Sequence, residues 1–267
     1  MERFVCLHAH LYQPPRENPW LEEIEYQESA YPYHDWNERI AAECYAPNAT
    51  SRILDGEGRI EQIVNNYSRI SFNFGPTLLS WLEQKEPAVY SAILAADRES
   101  RERFSGHGSA LAQGYNHLIF PLANRRDKET QVIWGIRDFE RRFGRAPEGM
   151  WLPETAVDLE TLDLLATHGI RFTILAPRQG SEVRQLTGRE WRDVGGDRID
   201  PTMPYRIVLP SGKTLSLFFC DGPISRAVAF EGLLNNGEGF ANRLLQGFTA
   251  SSRRRNQLLH IATDGES

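Results

Sequence analysis

The chain has 267 residues, of which 40% are hydrophobic and 25% are charged, and its formal net charge is −6. This composition is ordinary for a globular protein, and the length suits a single α/β barrel domain. The negative charge argues against a nucleic-acid or anionic-membrane partner, and no stretch reaches the roughly 18 consecutive apolar residues that a membrane span needs.

The N-terminus runs directly into a strand-like segment at residues 4–8, without the basic and long apolar regions of a signal peptide. A cytoplasmic location is therefore expected. The three cysteines, Cys6, Cys44 and Cys220, are odd in number and widely spaced. They indicate neither a disulfide framework nor a thiolate metal site.

Hydrophobic periodicity predicts an alternation of strands and helices along the chain. In chain order, the predicted elements are a strand at residues 4–8, an insertion with short helices at 17–56, a helix at 59–66, a strand at 70–74, helices at 77–84 and 88–104, a short strand at 109–113, a helix at 128–143, a strand at 148–152, a helix at 159–168, strands at 171–175, 205–209 and 214–220, a helix at 237–248 and a strand at 258–263. Such alternation indicates an α/β fold whose sheet is mostly parallel, either open or closed into a barrel.

The last predicted strand is followed only by Asp264-Gly265-Glu266-Ser267, with no closing helix. A domain rarely stops at the tip of its own strand. We therefore expect one barrel domain over residues 1–267 that is truncated at its C-terminal end.

Polar side chains stand where predicted strands end. His8 and His10 close the first strand, Glu154 follows the Met150-Trp151-Leu152-Pro153 segment, and Asp264 ends the last strand. In parallel α/β folds the carboxyl ends of the strands converge on one face, where active sites are built. These residues, although far apart in sequence, are therefore candidates for one site.

Two carboxylates at strand ends suit glycoside cleavage, in which one attacks the anomeric carbon and the other protonates the leaving oxygen. A retaining enzyme holds the two carboxyl groups about 5–5.5 Å apart. Pro153 restrains the backbone directly before Glu154, which favours a preorganised acid. The alternative interpretation is that Glu154 caps the helix that begins near Asp158.

Four separated blocks resemble glycoside hydrolase family 57, most closely its branch carrying a domain of unknown function. The blocks are His8-Ala9-His10-Leu11-Tyr12-Gln13-Pro14-Pro15, Gly114-Tyr115-Asn116-His117, Trp151-Leu152-Pro153-Glu154 and Thr263-Asp264-Gly265-Glu266. The resemblance implies an incomplete (β/α)7 barrel of polysaccharide-deacetylase-like architecture. It also implies retaining hydrolysis, transfer or branching of α-glucans, or α-galactoside cleavage, without a cofactor or catalytic metal. Glu154 corresponds to the family nucleophile and Asp264 to its general acid/base.

The sequence departs from the family pattern in two respects. Asn116 stands where a glycine normally precedes the histidine, and the family's fifth block and helical C-terminal region are absent from these residues. The first difference bears on the role of His117, and the second bears on how the sugar cleft is closed.

Further residues are expected to line the sugar site. At least one of His8 and His10 is predicted to bind sugar hydroxyls, because the two side chains alternate onto the same side of a strand. The remaining candidates for substrate contact are Gln13, His117, Trp151, Asp221 and Glu266. Asp221 follows a strong strand in Phe218-Phe219-Cys220-Asp221-Gly222-Pro223 and rivals Asp264, unless it only forms an Asp-Gly turn.

Three alternatives to a retaining glycoside hydrolase remain open from the sequence. One is a 4-α-glucanotransferase or branching enzyme with the same two acids. Another is a metal-dependent, deacetylase-like hydrolase in which His8, His10 and His117 bind zinc. The last is a non-catalytic carbohydrate-binding domain. All of them predict a carbohydrate partner.

Overall fold

The structure is a computed structural model that describes residues 2–248 and 255–266. The strands are β1 (Arg3–Leu11), β2 (Glu17–Asn18), β3 (Glu23–Ile24), β4 (Ser51–Leu54), β5 (Ile60–Val64), β6 (Ser71–Phe74), β7 (Ala112–Gln113), β8 (Met150–Trp151), β9 (Phe172–Leu175), β10 (Glu182–Val183), β11 (Arg192–Asp193), β12 (Tyr205–Val208), β13 (Thr214–Phe219) and β14 (Gln257–Asp264). The α-helices are α1 (Trp36–Ile40), α2 (Ala46–Ala49), α3 (Pro76–Lys85), α4 (Pro87–Arg103), α5 (Arg125–Phe143), α6 (Leu159–Thr167), α7 (Gly222–Phe230) and α8 (Gly237–Gln246).

Seven parallel strands form the barrel in the order β1, β6, β7, β8, β9, β13 and β14. Parallel ladders join β14 to β1, β1 to β6, β7 to β8 and β13 to β9. Isolated parallel bridges connect the remaining neighbours, Phe72 with Ala110 and Gly149 with Phe172. At the seam, the backbone N–H of Asp221 donates to the carbonyl of His260 over 2.8 Å, which brings the end of β13 against β14. This ring of strands confirms the predicted α/β barrel.

The interior of the barrel is partly polar. The rings of His8 and His10 on β1 stack against Trp151 on β8, with ring centroids 4.9 and 5.2 Å apart. Because β1 and β8 are separated by two strands in the sheet, these rings must meet across the barrel interior. Trp151 also packs in a buried cluster with Leu111 and Ile174.

The helices begin and end where local chemistry favours it. Asn124 caps α5 by accepting from the N–H of Asp127, and α5 ends at Gly144, whose φ is 65°. A left-handed residue is a common helix terminus, and glycine adopts it without steric cost. The sequence predicted this terminus correctly. None of the helices in residues 2–248 and 255–266 is long and apolar enough to cross a membrane.

The helix predicted at residues 59–66 is wrong. Ile60–Val64 is strand β5, which pairs antiparallel with β4 across a tight turn. The Asp55 carboxylate accepts from the backbone N–H groups of Glu57 and Arg59, and Gly58 has a φ of 78°. These hydrogen bonds and the left-handed glycine favour a turn that leads into a hairpin. The segment is therefore a strand, although the apolar residues within 60–64 also fit helical spacing.

The predicted insertion at residues 17–56 contains short helices, as expected, together with the paired strands β2 and β3. Its last turns include a π-helical segment, Ala41–Tyr45, between α1 and α2. Tyr45 is fully buried and its phenol reaches the end of the last barrel strand, where it donates to Glu266. The insertion therefore packs beside the strand ends that carry the predicted site.

Candidate active site

Glu154 lies directly after β8, in a 3₁₀ turn formed by Pro153–Thr155. Both Glu154 and Thr155 adopt positive φ angles, 58° and 53°, in the left-handed region. Such a conformation costs a non-glycine residue on the order of 1 kcal/mol and is concentrated at functional sites. The helix that follows is capped by Asp158, whose carboxylate accepts from the N–H of Thr161 over 2.7 Å. Glu154 is therefore not the cap of α6, and its side chain is exposed.

Asp264 is the last residue of β14 and pairs in register with His10 on β1. The N–H of the next residue, Gly265, donates to the carbonyl of His10 over 2.7 Å and holds the strand end in place. Partial burial raises the pKa of the Asp264 carboxyl, and the negative charge of Glu154 raises it further, whereas a positive charge on His117 would lower it. A raised pKa is the property that a general acid needs near neutral pH.

His117 joins the two acids into one cluster. Burial lowers the pKa of its imidazole, while the charges of Glu154 and Asp264 both act to raise it. Its backbone φ is 55°, so the turn after β7 projects this residue in a left-handed conformation. The structure thus brings together three residues that the sequence placed at the ends of different strands.

A chain of hydrogen bonds links the His117 imidazole to polar side chains inside the barrel. Its Nε2 lies 2.9 Å from Nε2 of His10, whose Nδ1 lies 2.9 Å from Nδ2 of Asn73. The Asn73 Oδ1 lies 3.1 Å from Nε2 of His8, and Nδ1 of His8 lies 2.9 Å from the Ser71 hydroxyl. Burial lowers the pKa of both His8 and His10 to about 3, and each is lowered further by a neighbouring histidine.

The prediction that His8 binds sugar hydroxyls needs correction. Its side chain is 1% exposed and both ring nitrogens are bonded inside the barrel, so it cannot reach a ligand. His10 lies two residues further along β1, nearer the end of the strand. It is also buried, but its ring contacts His117 directly. The face of His117 is covered by the Tyr12 ring, with centroids 3.9 Å apart.

Trp151 does not line the cleft as the sequence suggested. Its side chain is 5% exposed and lies beneath the histidine rings, with Nε1 lacking a hydrogen-bond partner among the described residues. Its role here is to pack the barrel interior and to support the orientation of His8 and His10 by stacking.

Gln13 and Glu266 lie at the edge of the site and tie its loops together. The Glu266 carboxylate accepts from the backbone N–H of Tyr12 over 3.1 Å and from the Tyr45 hydroxyl over 2.5 Å. Burial raises its pKa, while these two hydrogen bonds lower it. Gln13 accepts from Arg16 over 2.8 Å. Glu266 therefore links the last strand to the first block and to the insertion.

The sequence matches the model of glycosyl hydrolase family 57 over residues 5–267. The chain belongs to glycosyl hydrolase family 57. This membership confirms the resemblance carried by the four sequence blocks, which all fall within the matched residues. In this family 57 member, the structure places the glutamate of the third block and the aspartate of the fourth in one electrostatic cluster with the histidine of the second.

Individual relatives extend the comparison. The chain is 28% identical over 107 residues to "Alpha-amylase 1" of Dictyoglomus thermophilum, an alignment that covers 40% of this chain and 15% of that protein. It superposes on an exo-type maltose-forming amylase from Pyrococcus sp. ST04 with a TM-score of 0.68 and 18% identity, covering 100% of this chain and 43% of the other. A putative polysaccharide deacetylase from Mycobacterium smegmatis gives a TM-score of 0.51 and 14% identity, covering 96% and 76%. The chain thus spans less than half of the two amylases, and the deacetylase shares its fold, as predicted.

Asp221 does not join the two acids in the family 57 cluster. Its carboxylate caps α7 by accepting from the N–H of Ile224 over 2.9 Å. The prediction that it lines the cleft is replaced by this structural role, because an oxygen committed to a helix N-terminus satisfies donors that otherwise lack partners. Helix α7 itself was not predicted, since Asp221-Gly222-Pro223 fits both a turn and a helix start.

A zinc site would need histidine nitrogens that converge on one point. His8, His10 and His117 direct their ring nitrogens to each other, Asn73 and Ser71 rather than to a common point. Within the described part of the chain, a cluster of metal-type side chains occurs at His34, Asp35 and Glu38, in the insertion. There Asp35 already caps α1, so these side chains have a structural explanation.

Sequence reasoning missed the polar residues that organise the site from within. Asn73 lies in Phe72-Asn73-Phe74, and an amide between two aromatic residues at a strand end was the available signal. Gln113, at the end of β7, accepts from Asn73 Nδ2 over 2.5 Å. No local pattern predicts the contacts of Tyr12 and Tyr45, because they depend on loops that meet only in the folded barrel.

Proposed function

We propose that the protein is a retaining glycoside hydrolase of α-glucan-like sugars, with Glu154 as the nucleophile and Asp264 as the general acid/base. The observation that carries this proposal is the cluster of Glu154, Asp264 and His117 at the strand ends, in which burial and the Glu154 charge raise the pKa of Asp264. The α-amylase similarity supports the substrate class.

In the first step, a carboxylate oxygen of Glu154 attacks the anomeric carbon while the Asp264 proton moves to the departing glycosidic oxygen. The carbon–oxygen bond to the leaving sugar breaks, and a glycosyl ester of Glu154 forms. In the second step, Asp264 takes a proton from water, and the resulting oxygen displaces Glu154 with overall retention. A sugar hydroxyl in place of that water gives transfer instead of hydrolysis.

The sharpest test uses azide with an aryl α-glucoside or α-maltooligoside whose leaving group needs no protonation. Glu154→Ala should lose turnover by several orders of magnitude. Azide should then restore part of it by direct attack from the opposite face, giving the β-glycosyl azide. Asp264→Ala should still form the glycosyl-enzyme, and azide should then give the α-glycosyl azide, because two displacements occur.

Asp221→Asn is the matched control, since asparagine caps a helix as well as aspartate does and this residue lies outside the cluster. It should keep wild-type turnover. The opposite pattern would overturn the assignment: retained turnover in Glu154→Ala, or the same azide anomer from both variants. Chromatography of the products from maltooligosaccharides separates hydrolysis from transfer.

A further inference from the structure

The hydrogen bonds beneath His117 have a direction that follows from the orientation of the Asn73 amide. The Asn73 amide has two N–H groups, and Nδ2 contacts two groups, Gln113 Oε1 over 2.5 Å and His10 Nδ1 over 2.9 Å. Its oxygen faces Nε2 of His8 over 3.1 Å. An amide nitrogen only donates and an amide oxygen only accepts, so Nδ1 of His10 must be the lone-pair nitrogen.

The orientation of the Asn73 amide then determines which ring nitrogens of His10 and His117 carry protons. A neutral imidazole with a lone pair on Nδ1 carries its proton on Nε2, so His10 donates to Nε2 of His117 over 2.9 Å. His117 therefore accepts at Nε2 and carries its own proton on Nδ1.

We propose that Asn73 is a positioning residue, which fixes the tautomers of His10 and His117 and so keeps a neutral imidazole beside Glu154 and Asp264. The catalytic consequence rests on the function proposed above, whereas the tautomer assignment stands on the hydrogen bonds alone. Protonating His117 at Nε2 would set two N–H groups against each other over 2.9 Å, and His10 cannot reverse while Asn73 donates to its other nitrogen.

The neutrality of His117 matters because of the charges that face it. Glu154 and Asp264 act on His117 from the ends of β8 and β14, His10 faces it from β1, and the Tyr12 ring stacks on it. Asp264 in turn is faced by Glu154, His117 and Glu266. An imidazolium at His117 would lower the pKa of Asp264, so a neutral ring preserves the raised pKa that an acid catalyst uses.

Asn73→Asp reverses the direction of these hydrogen bonds with little change in the shape of the side chain. A carboxylate oxygen then replaces Nδ2, so Nδ1 of His10 must carry a proton and its Nε2 can accept from Nε2 of His117. The added negative charge favours a proton on both ring nitrogens of His117, and the side-chain ¹⁵N NMR shifts should show that Nε2 of His117 has gained a proton. The basic limb of the kcat/KM profile should move to lower pH by about one unit, since an opposite charge within a few ångströms lowers a carboxyl pKa by that order.

Asn236→Asp is the matched control, because this asparagine caps α8 by accepting from Gly239 and aspartate does the same. It should leave both the NMR shifts and the pH profile unchanged. If Asn73→Asp does not fold, the wild-type spectrum decides: protons on Nε2 of His10 and Nδ1 of His117 support the inference, and the reverse pair overturns it.

The outcomes separate this inference from the proposed function. Predicted tautomers in a protein that cleaves no α-glucan would support the role of Asn73 and remove the glycosidase proposal. An active enzyme whose His117 tautomer and pH profile are unchanged in Asn73→Asp would overturn the role of Asn73 and leave the glycosidase proposal intact.

Discussion

Replacing His260 by glutamine should make the protein more resistant to acid. His260 lies on β14, is 3% exposed and packs edge-on against Phe218. Burial lowers the pKa of its imidazole from 6.5 to about 4, partly offset by a hydrogen bond to the Phe219 backbone. The unfolded chain therefore binds a proton at a higher pH than the folded one does, and stability is lost as the pH falls from 6.5 towards 4.

The size of this effect follows from the two pKa values. At pH 5 the unfolded imidazole is mostly protonated and the folded one is mostly neutral, so His260 costs about 2 kcal/mol relative to pH 7. Glutamine does not titrate, and its amide N–H can still donate to the Phe219 carbonyl. The pKa of His8 and His10 is lowered in the same direction, so wild-type stability should fall steeply below pH 6.

Urea unfolding of both proteins at pH 7 and pH 5 measures the effect. The loss of unfolding free energy between the two pH values should be about 2 kcal/mol smaller in His260→Gln than in the wild type. An equal pH dependence for His260→Gln and wild type would refute the argument that burial keeps this imidazole neutral.

Two further predictions concern stability. Asp221→Ala should lower the free energy of unfolding by about 1 kcal/mol through loss of the α7 cap, and chemical denaturation would contradict this if Asp221→Ala and Asp221→Asn were equally stable. Arg145→Met should destabilise the fold by about 3–5 kcal/mol, because Asp97 is 1% exposed and accepts from Arg145 at both carboxylate oxygens. Adding Asp97→Asn should recover part of that loss, and a double variant no more stable than Arg145→Met would show that the ion pair is not the cause.

The sequence predicted the residues of the candidate site better than it predicted how deeply each side chain is buried. Glu154 and Asp264 stand at the ends of predicted strands, and parallel strands end on one face, so topology predicted that these two would meet. His117 became a candidate through the family resemblance of its sequence block. His8 and His10 were assigned one role because they alternate onto one side of a strand. They differ in height, since two residues along a strand are about 6.6 Å apart. That separation places His8 inside the barrel and His10 under the site.

Other errors came from features that local sequence does not determine. Trp151 lies on a two-residue strand, and whether its side chain points inward depends on the pairing of that strand with its neighbours. Asp221-Gly222-Pro223 has the same residues for a turn and for a capped helix start. In both cases contacts that form only in the folded protein decide between two local structures that the sequence favours equally.

Burial in the barrel acts in opposite directions on its acids and its bases, and the site depends on both. The same low-dielectric surroundings raise the pKa of Asp264 and lower that of His8 and His10, because each group loses the hydration of its charged form. The supporting histidines therefore stay neutral and leave the repulsion between Glu154 and Asp264 uncompensated. A protonated histidine layer would stabilise both carboxylates and remove the difference between the proposed nucleophile and the proposed acid. The buried amide of Asn73, which can bond two neutral imidazoles without adding charge, suits this requirement where an aspartate would not.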